Sequence, residues 1–264
     1  MTTAAPSAPI IALGSRLRRC PAVRTLGVRP NMTDYSDEER ALIEGAEKIY
    51  YPSAFYAGLF DTIGKPIFPS YHTYKYAQDK ILQTALFRLA GVHHPRTRVF
   101  YGKRQMEEIL DYFRFPFIAK VPRGSALGKG VFLIHSKTAL SCYCHSQKPA
   151  YIQEYLPIRR DMRVIVLGRR VVHAFWRVAM RGEFRTNLAA GGRLDPSPVP
   201  DGALAFALDT ARRCRWDDVG LDICTHEGRY YVLEGNMRYG KQGLFQAGIA
   251  YPQIICDLIQ AGEI

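Results

Sequence analysis

The sequence predicts an α+β fold with a small α/β unit in front, and three observations carry that prediction. Short apolar runs alternate with helix-like segments over residues 10–68, residues 117–134 read as a glycine-rich hairpin, and from Arg163 onward the pattern becomes antiparallel. Strands alternating with helices imply a mainly parallel sheet, whereas alternating runs joined by short polar turns imply hairpins. With 264 residues, 47% of them hydrophobic, the chain can bury the core of one large or two to three small domains.

Taken in order, residues 1–9 are small and Pro-rich and are expected to be disordered. Residues 10–13, 48–51 and 66–68 read as short strands, with helices over 36–47 and 53–62. Ser36 followed three residues later by Glu39 is the capping-box pattern of a helix start. Arg16, Arg18, Arg19 and Arg24 are read as a solvated face. From Asp79 a helix is expected to bury Ile81, Leu82, Ala85, Leu86 and Leu89, and Gly91 closes it. Pro95 forces an extended exit into a strand over 97–101, and a helix over 104–113 leads into the glycine-rich hairpin. A short helix over 136–145 precedes a strand, 150–156, that ends at Pro157. Residues 163–167 and 171–179 form a hairpin across Gly168, Arg169 and Arg170, followed by a loop rich in Gly and Arg over 180–193 and a helix over 203–213. A last hairpin pairs 219–224 with 230–236.

Two constellations carry chemistry. In the hairpin, Gly124, Gly128 and Gly130 let backbone approach a ligand closely, while Lys120, Arg123 and Lys129 surround it with cationic donors. A polyphosphate asks for such a flap. It is not a P-loop, because the G-x-x-x-x-G-K-[ST] spacing is absent and a strand rather than a helix follows. The second constellation is Asp222, Glu234 and Asn236. Residues two apart in a strand share a face, so Glu234 and Asn236 point the same way, and an even hairpin register adds Asp222. Two carboxylates and an amide oxygen in otherwise apolar strands suit Mg2+ or Mn2+ shared with substrate phosphates.

The formal net charge of +12 and pI of about 9.5 point to acidic ligands, and without a Lys/Arg block or RNA-binding signature nucleic acid is the weaker option. No run approaches the ~18 apolar residues that span a bilayer, so a cytoplasmic protein without membrane contact is expected, and an oligomer is compatible with it. Cys20, Cys142, Cys144, Cys214, Cys224 and Cys256 show no C-x-x-C spacing and are read as thiols in a reducing cytosol. His135, His145, His173 and His226 are scattered singly, which argues against metal or base roles.

In order along the chain stand Asp79-Lys80 at a helix start, PFIAK with its flap, YIQEYL, Asp161-x-Arg163, Arg177 with FRTN at 184–187, GLDI at 220–223 and LEGN at 233–236. This order resembles the ATP-grasp superfamily, most closely its ribosomal-protein glutamate ligase (RimK-like) branch, from about Tyr74 to the C-terminus. The resemblance implies two α+β lobes that clamp ATP, a central lobe over 76–158 and a metal-binding lobe over 159–264, behind a small α/β domain over 10–75. It implies that Lys80 and Lys120 hold the phosphates beneath the flap of Gly124, Ser125, Gly128 and Gly130. Glu154 and Tyr155 would meet adenine through their backbone, with Asp161 near the ribose. Asp222, Glu234 and Asn236 would hold Mg2+, and Arg177, Arg185 and Asn187 would face the transferred phosphate.

The activity implied is ADP-forming ligation of a carboxylate to an amine through an acyl phosphate, on a small anionic substrate or a peptide or protein terminus. The run after Asn236 departs from the family's Ser-Pro-Gly turn, and Arg238 and Lys241 there suggest an acceptor with extra negative charge. Two alternatives stand beside the ligase: an ATP-grasp kinase acting on a polyanionic alcohol, and a non-catalytic protein that binds ATP as a regulator.

Overall fold

A computed structural model describes residues 9–125 and 130–264. Residues 1–8, and Gly128 and Lys129 of the flap, lie outside the described residues. The first unit comprises β1 (Ile10–Ala12), β2 (Val23–Thr25), α1 (Asp37–Gly45), β3 (Ile49–Tyr50), α2 (Ala54–Thr62), β4 (Ile67–Phe68) and α3 (Tyr71–Lys75). Its sheet has the order β2-β1-β3-β4 with every pairing parallel, as the alternation predicts. Strand β2, VRT, has a single apolar residue, the buried Val23, too short a signal to predict a strand. The capping box forms at α1: Glu39 N–H donates to Ser36 Oγ (3.2 Å) and Ser36 N–H to Glu39 Oε2 (2.9 Å).

Next come α4 (Lys80–Leu89), β5 (Thr97–Phe100), α5 (Gly102–Glu107), α6 (Ile109–Tyr112), β6 (Phe117–Lys120), β7 (Val131–Ile134), α7 (Lys137–Ser146) and β8 (Ala150–Glu154). An antiparallel sheet of order β5-β8-β6-β7 results. The helix expected over 104–113 breaks at Glu108 into α5 and α6. A second correction concerns α4. Its buried residues are Lys80, Gln83, Thr84 and Phe87, whereas Leu82 and Leu89 are 38% and 86% exposed. The helix is rotated from its apolar face because polar partners hold the other one: Thr84 Oγ1 lies 2.6 Å from the Tyr151 hydroxyl, and Gln83 bonds both ways with Gly235.

The third unit comprises β9 (Arg160–Leu167), β10 (Arg170–Val178), β11 (Arg193–Asp195), α8 (Asp201–Cys214), β12 (Asp218–His226), β13 (Arg229–Asn236), α9 (Gln242–Gln246) and α10 (Tyr251–Gln260). Its antiparallel sheet runs β11-β10-β9-β12-β13, and α8 packs Ala207 and Ala211 against Val164 and Val166 with Phe87 and Trp216 in the same core. Helix α10 joins Ile255 and Ile259 to Ala12, Tyr50 and Phe68 of the first sheet and to Ile165 and Leu167 of β9. The end of the chain therefore seals the first unit to the last sheet. Cys20 and Cys256 are paired there as a disulfide, which corrects the reading of all six cysteines as thiols; the other four are free. Among the described residues no helix is long and apolar enough to cross a membrane.

The same junction corrects the reading of Arg16 as solvated. Its Nη1 donates to Asp218 Oδ2 (2.6 Å) and its guanidinium carbon lies 4.8 Å from the Tyr51 ring centroid. Tyr239 donates to the other oxygen of Asp218 (2.7 Å) and its hydroxyl lies 2.8 Å from that of Tyr251. The Asp218 side chain is 2% exposed, so removing its cation strands a buried carboxylate. Arg16→Met is expected to cost about 3 kcal/mol of stability, as breaking one side of a buried pair does, read from the urea unfolding midpoint. Arg24→Met, which breaks the exposed pair of Arg24 with Glu38, should cost less than about 1 kcal/mol.

Candidate active site

Between the two antiparallel sheets lies a cleft of about 730 Å³. Lys80 enters it from the first turn of α4, which Asp79 caps by accepting the Leu82 N–H (2.9 Å). Gln83 then fixes that helix to β13: its Nε2 donates to Gly235 O (2.8 Å) and its Oε1 accepts the Gly235 N–H (2.9 Å). This places Lys80 Nζ 3.1 Å from Glu234 Oε1. Lys120 ends β6 beside Tyr151 of β8, and the Tyr143 hydroxyl of α7 donates to its carbonyl (2.6 Å). Burial pushes the Lys120 ammonium down to about 8, against the pull of Glu234 and with Lys80 acting in the same direction as burial.

On the opposite wall Asp222 of β12 pairs with Glu234 of β13, and Gly220 with Asn236. The register is the even one that puts all three polar side chains on one face. Asp222 is closely engaged: Arg163 Nε donates to Oδ1 (2.5 Å), and Oδ2 receives Arg163 Nη2 (3.1 Å), Arg177 Nη2 (3.0 Å) and Asn236 Nδ2 (3.1 Å). Burial alone would raise the Asp222 carboxyl; the two guanidinium groups overcome it and hold it below its ordinary value. Arg177 also donates to both oxygens of Asp161 (2.8 and 2.5 Å). Gly220 lies beneath this cluster, where a Cβ would come within 2.9 Å of Tyr239 Cβ and 3.1 Å of Arg163 Cδ.

Lys80, Lys120, Ser125, Glu154, Tyr155, Asp161, Arg177, Arg185, Asn187, Asp222, Glu234, Asn236 and Arg238 all line this one cleft. Gly124 and Gly130 flank it without lining it, and Gly128 lies outside the described residues. Lys241 is not brought in: its ammonium sits 4.8 Å from the Tyr251 ring centroid, at the junction with Arg16. Asp161, expected near a ribose, lines the cleft, and both its oxygens accept from Arg177. Arg123 pairs with Asp79 (2.7 Å) at the flap's base. Arg163, which stands in the Asp161-x-Arg163 motif without an expected role, also lines the cleft, as do the unexpected Ile118 and Leu233, apolar residues from β6 and β13. Their signal was available, since each lies within two residues of a charged site residue on the same strand. Among the described residues no three His, Cys, Asp or Glu side chains group to hold a metal, so a cation here would need Asn236 or ligand oxygens.

Two antiparallel sheets around such a cleft form an ATP-grasp fold. The solved structure of the ATP-grasp ligase PsnB complexed with minimal precursor, Mg and ADP superposes with a TM-score of 0.71, covering 97% of this chain and 99% of that one at 16% identity. The RimK-like ATP-grasp domain matches residues 77–259, and the chain belongs to that family. Ribosomal protein bS6–L-glutamate ligase of Escherichia fergusonii is 29% identical over 175 residues, 64% of this chain and 58% of that protein. Beta-citrylglutamate synthase B of Danio rerio is 28% identical over 179 residues, 64% of this chain and 44% of that protein. The chain thus spans about half the length of these two relatives.

Proposed function

We propose that this protein is an ATP-dependent, ADP-forming ligase that joins a carboxylate to an amine through an acyl phosphate, on anionic small-molecule or peptide substrates. The observation that carries it is the convergence of Lys80 and Lys120 from one sheet side with Asp222, Glu234 and Asn236 from the other in a single cleft. The relatives' names, a bS6 glutamate ligase and a citrylglutamate synthase, and the Mg and ADP of the PsnB complex support the same reading.

The residues present fit a magnesium nucleotide in kind. Asp222, Glu234 and Asn236 offer the oxygen donors a hard divalent cation takes, on two rigid paired strands. Their negative charge is balanced in this structure by Arg163, Arg177 and Lys80, cations that a polyphosphate can recruit. Magnesium, when bound, would neutralise charge on the phosphate oxygens. In this reading Lys80 and Lys120 hold phosphates, Ile118 and Leu233 sandwich the base near the Glu154 and Tyr155 backbone, and Arg177, Arg185 and Asn187 stabilise the transferred phosphoryl group. Catalysis of this kind is mostly positioning and charge neutralisation, with little covalent work for the protein. Asp161 becomes an orienting partner of Arg177. Arg193 and Arg238 line the cleft with no carboxylate at ion-pair distance among the described residues, which favours a substrate with several acidic groups.

The test is to incubate the protein with ATP, Mg2+ and pairs drawn from acidic amino acids and polycarboxylates, L-glutamate and citrate among them. ADP and phosphate released together, with a product lighter than its two components by one water, are expected. ADP without phosphate would mean that the acceptor keeps it, and would overturn the ligase in favour of a kinase. No calorimetric signal for ATP would overturn the nucleotide site.

A further inference from the structure

We propose that Glu183 is a positioning residue that sets Arg185 toward the phosphate end of the cleft before nucleotide arrives; this rests on the nucleotide reading above. Glu183 does not line the cleft, whereas Phe184, Arg185 and Asn187 after it do. Its carboxylate grips the next two residues at four points. Oε1 accepts the Phe184 N–H (2.8 Å), the Arg185 N–H (3.0 Å) and Arg185 Nε (3.1 Å), and Oε2 accepts Arg185 Nη2 (2.7 Å). One side chain therefore fixes both the backbone direction and the guanidinium plane of Arg185.

The loop around this grip closes on itself. Glu183 N–H donates to Met180 O (3.0 Å) and Gly192 N–H to Asn187 O (3.1 Å). Gly192 runs so close to Thr186 that a Cβ there would lie 2.3 Å from the Thr186 carbonyl oxygen, so only glycine closes the loop this tightly. The hydrogen bonds from Arg185, with those from the two backbone N–H groups, bring the Glu183 carboxyl down to about 2. A carboxylate this acidic is a poor general base and a durable anchor. A flexible arginine would otherwise lose rotamer entropy on meeting a phosphate; here that ordering is done in advance.

Calorimetric titration with ADP and with the non-hydrolysable ATP analogue AMPPNP, both with Mg2+, separates the terminal phosphate from the rest of the nucleotide. Glu183→Gln is expected to weaken AMPPNP about tenfold and leave ADP unchanged, the size of one charge-assisted contact. Arg185→Met should give the same loss, and the double variant no more than either alone. A purely structural role for Glu183 would shift both nucleotides or neither. If Glu183→Gln leaves the AMPPNP to ADP ratio intact while Arg185→Met lowers it, Glu183 does not position Arg185 and the proposal is overturned. If Arg185→Met also leaves the ratio intact, the role of Arg185 at the phosphate falls and the proposal with it. If the wild type binds neither nucleotide, the reading of the cleft itself is wrong.

Discussion

Glu234→Gln is expected to lower turnover by about a hundredfold or more while the protein still unfolds cooperatively. Groups behind a metal ligand already contribute about 10–100-fold in affinity or activity, and a direct ligand should exceed that. The substitution keeps volume and shape but removes the charge that lies 3.1 Å from Lys80 and across the strand pair from Asp222. Steady-state ADP release beside a denaturant titration checks it. Normal turnover in a folded variant would remove Glu234 from the proposed metal set and leave it as a counter-charge to Lys80 and Lys120.

Nucleotide affinity is expected to fall as pH rises through about 8, and Lys120 is the reason. Burial lowers its ammonium to about 8 in the free protein, so below that pH it is charged and can hold phosphate in the role proposed for it. Above it the side chain must take up a proton on binding, which weakens affinity by up to about tenfold per pH unit. Lys120→Arg, charged throughout, should flatten the profile, and Lys120→Ala should lose roughly 1.5–3 kcal/mol of binding at pH 7, as for a charged hydrogen bond. Calorimetry from pH 6.5 to about 9.5 would show it. A wild-type profile parallel to that of Lys120→Arg would exclude Lys120 from the phosphates.

Much of this site was legible in the chain itself, because the chemistry is local in sequence. The period of two that aligns Glu234 with Asn236 is a property of any strand, and the even register that adds Asp222 holds through Asp222. Lys80 follows a helix cap, and Ser36 with Glu39 forms the capping box its spacing predicts. Helix α4 departs from its own pattern, because its apolar stripe points one way and three polar residues held by distant partners turn the helix the other. Gln83, 152 residues from Gly235, cannot announce that bond by spacing.

The sequence by itself determined the parallel first sheet, the antiparallel hairpins and the residue types that meet in the cleft, since hydrophobic period and turn chemistry act over a few residues. Only the tertiary structure decided which cation each carboxylate meets. Arg163 and Arg177 reach Asp222, Arg177 reaches Asp161, and Arg16 reaches Asp218 from 202 residues away. A buried charge must be neutralised by whatever the fold brings within about 3 Å, and that neighbour is set by how sheets and helices pack, not by any pattern along the chain.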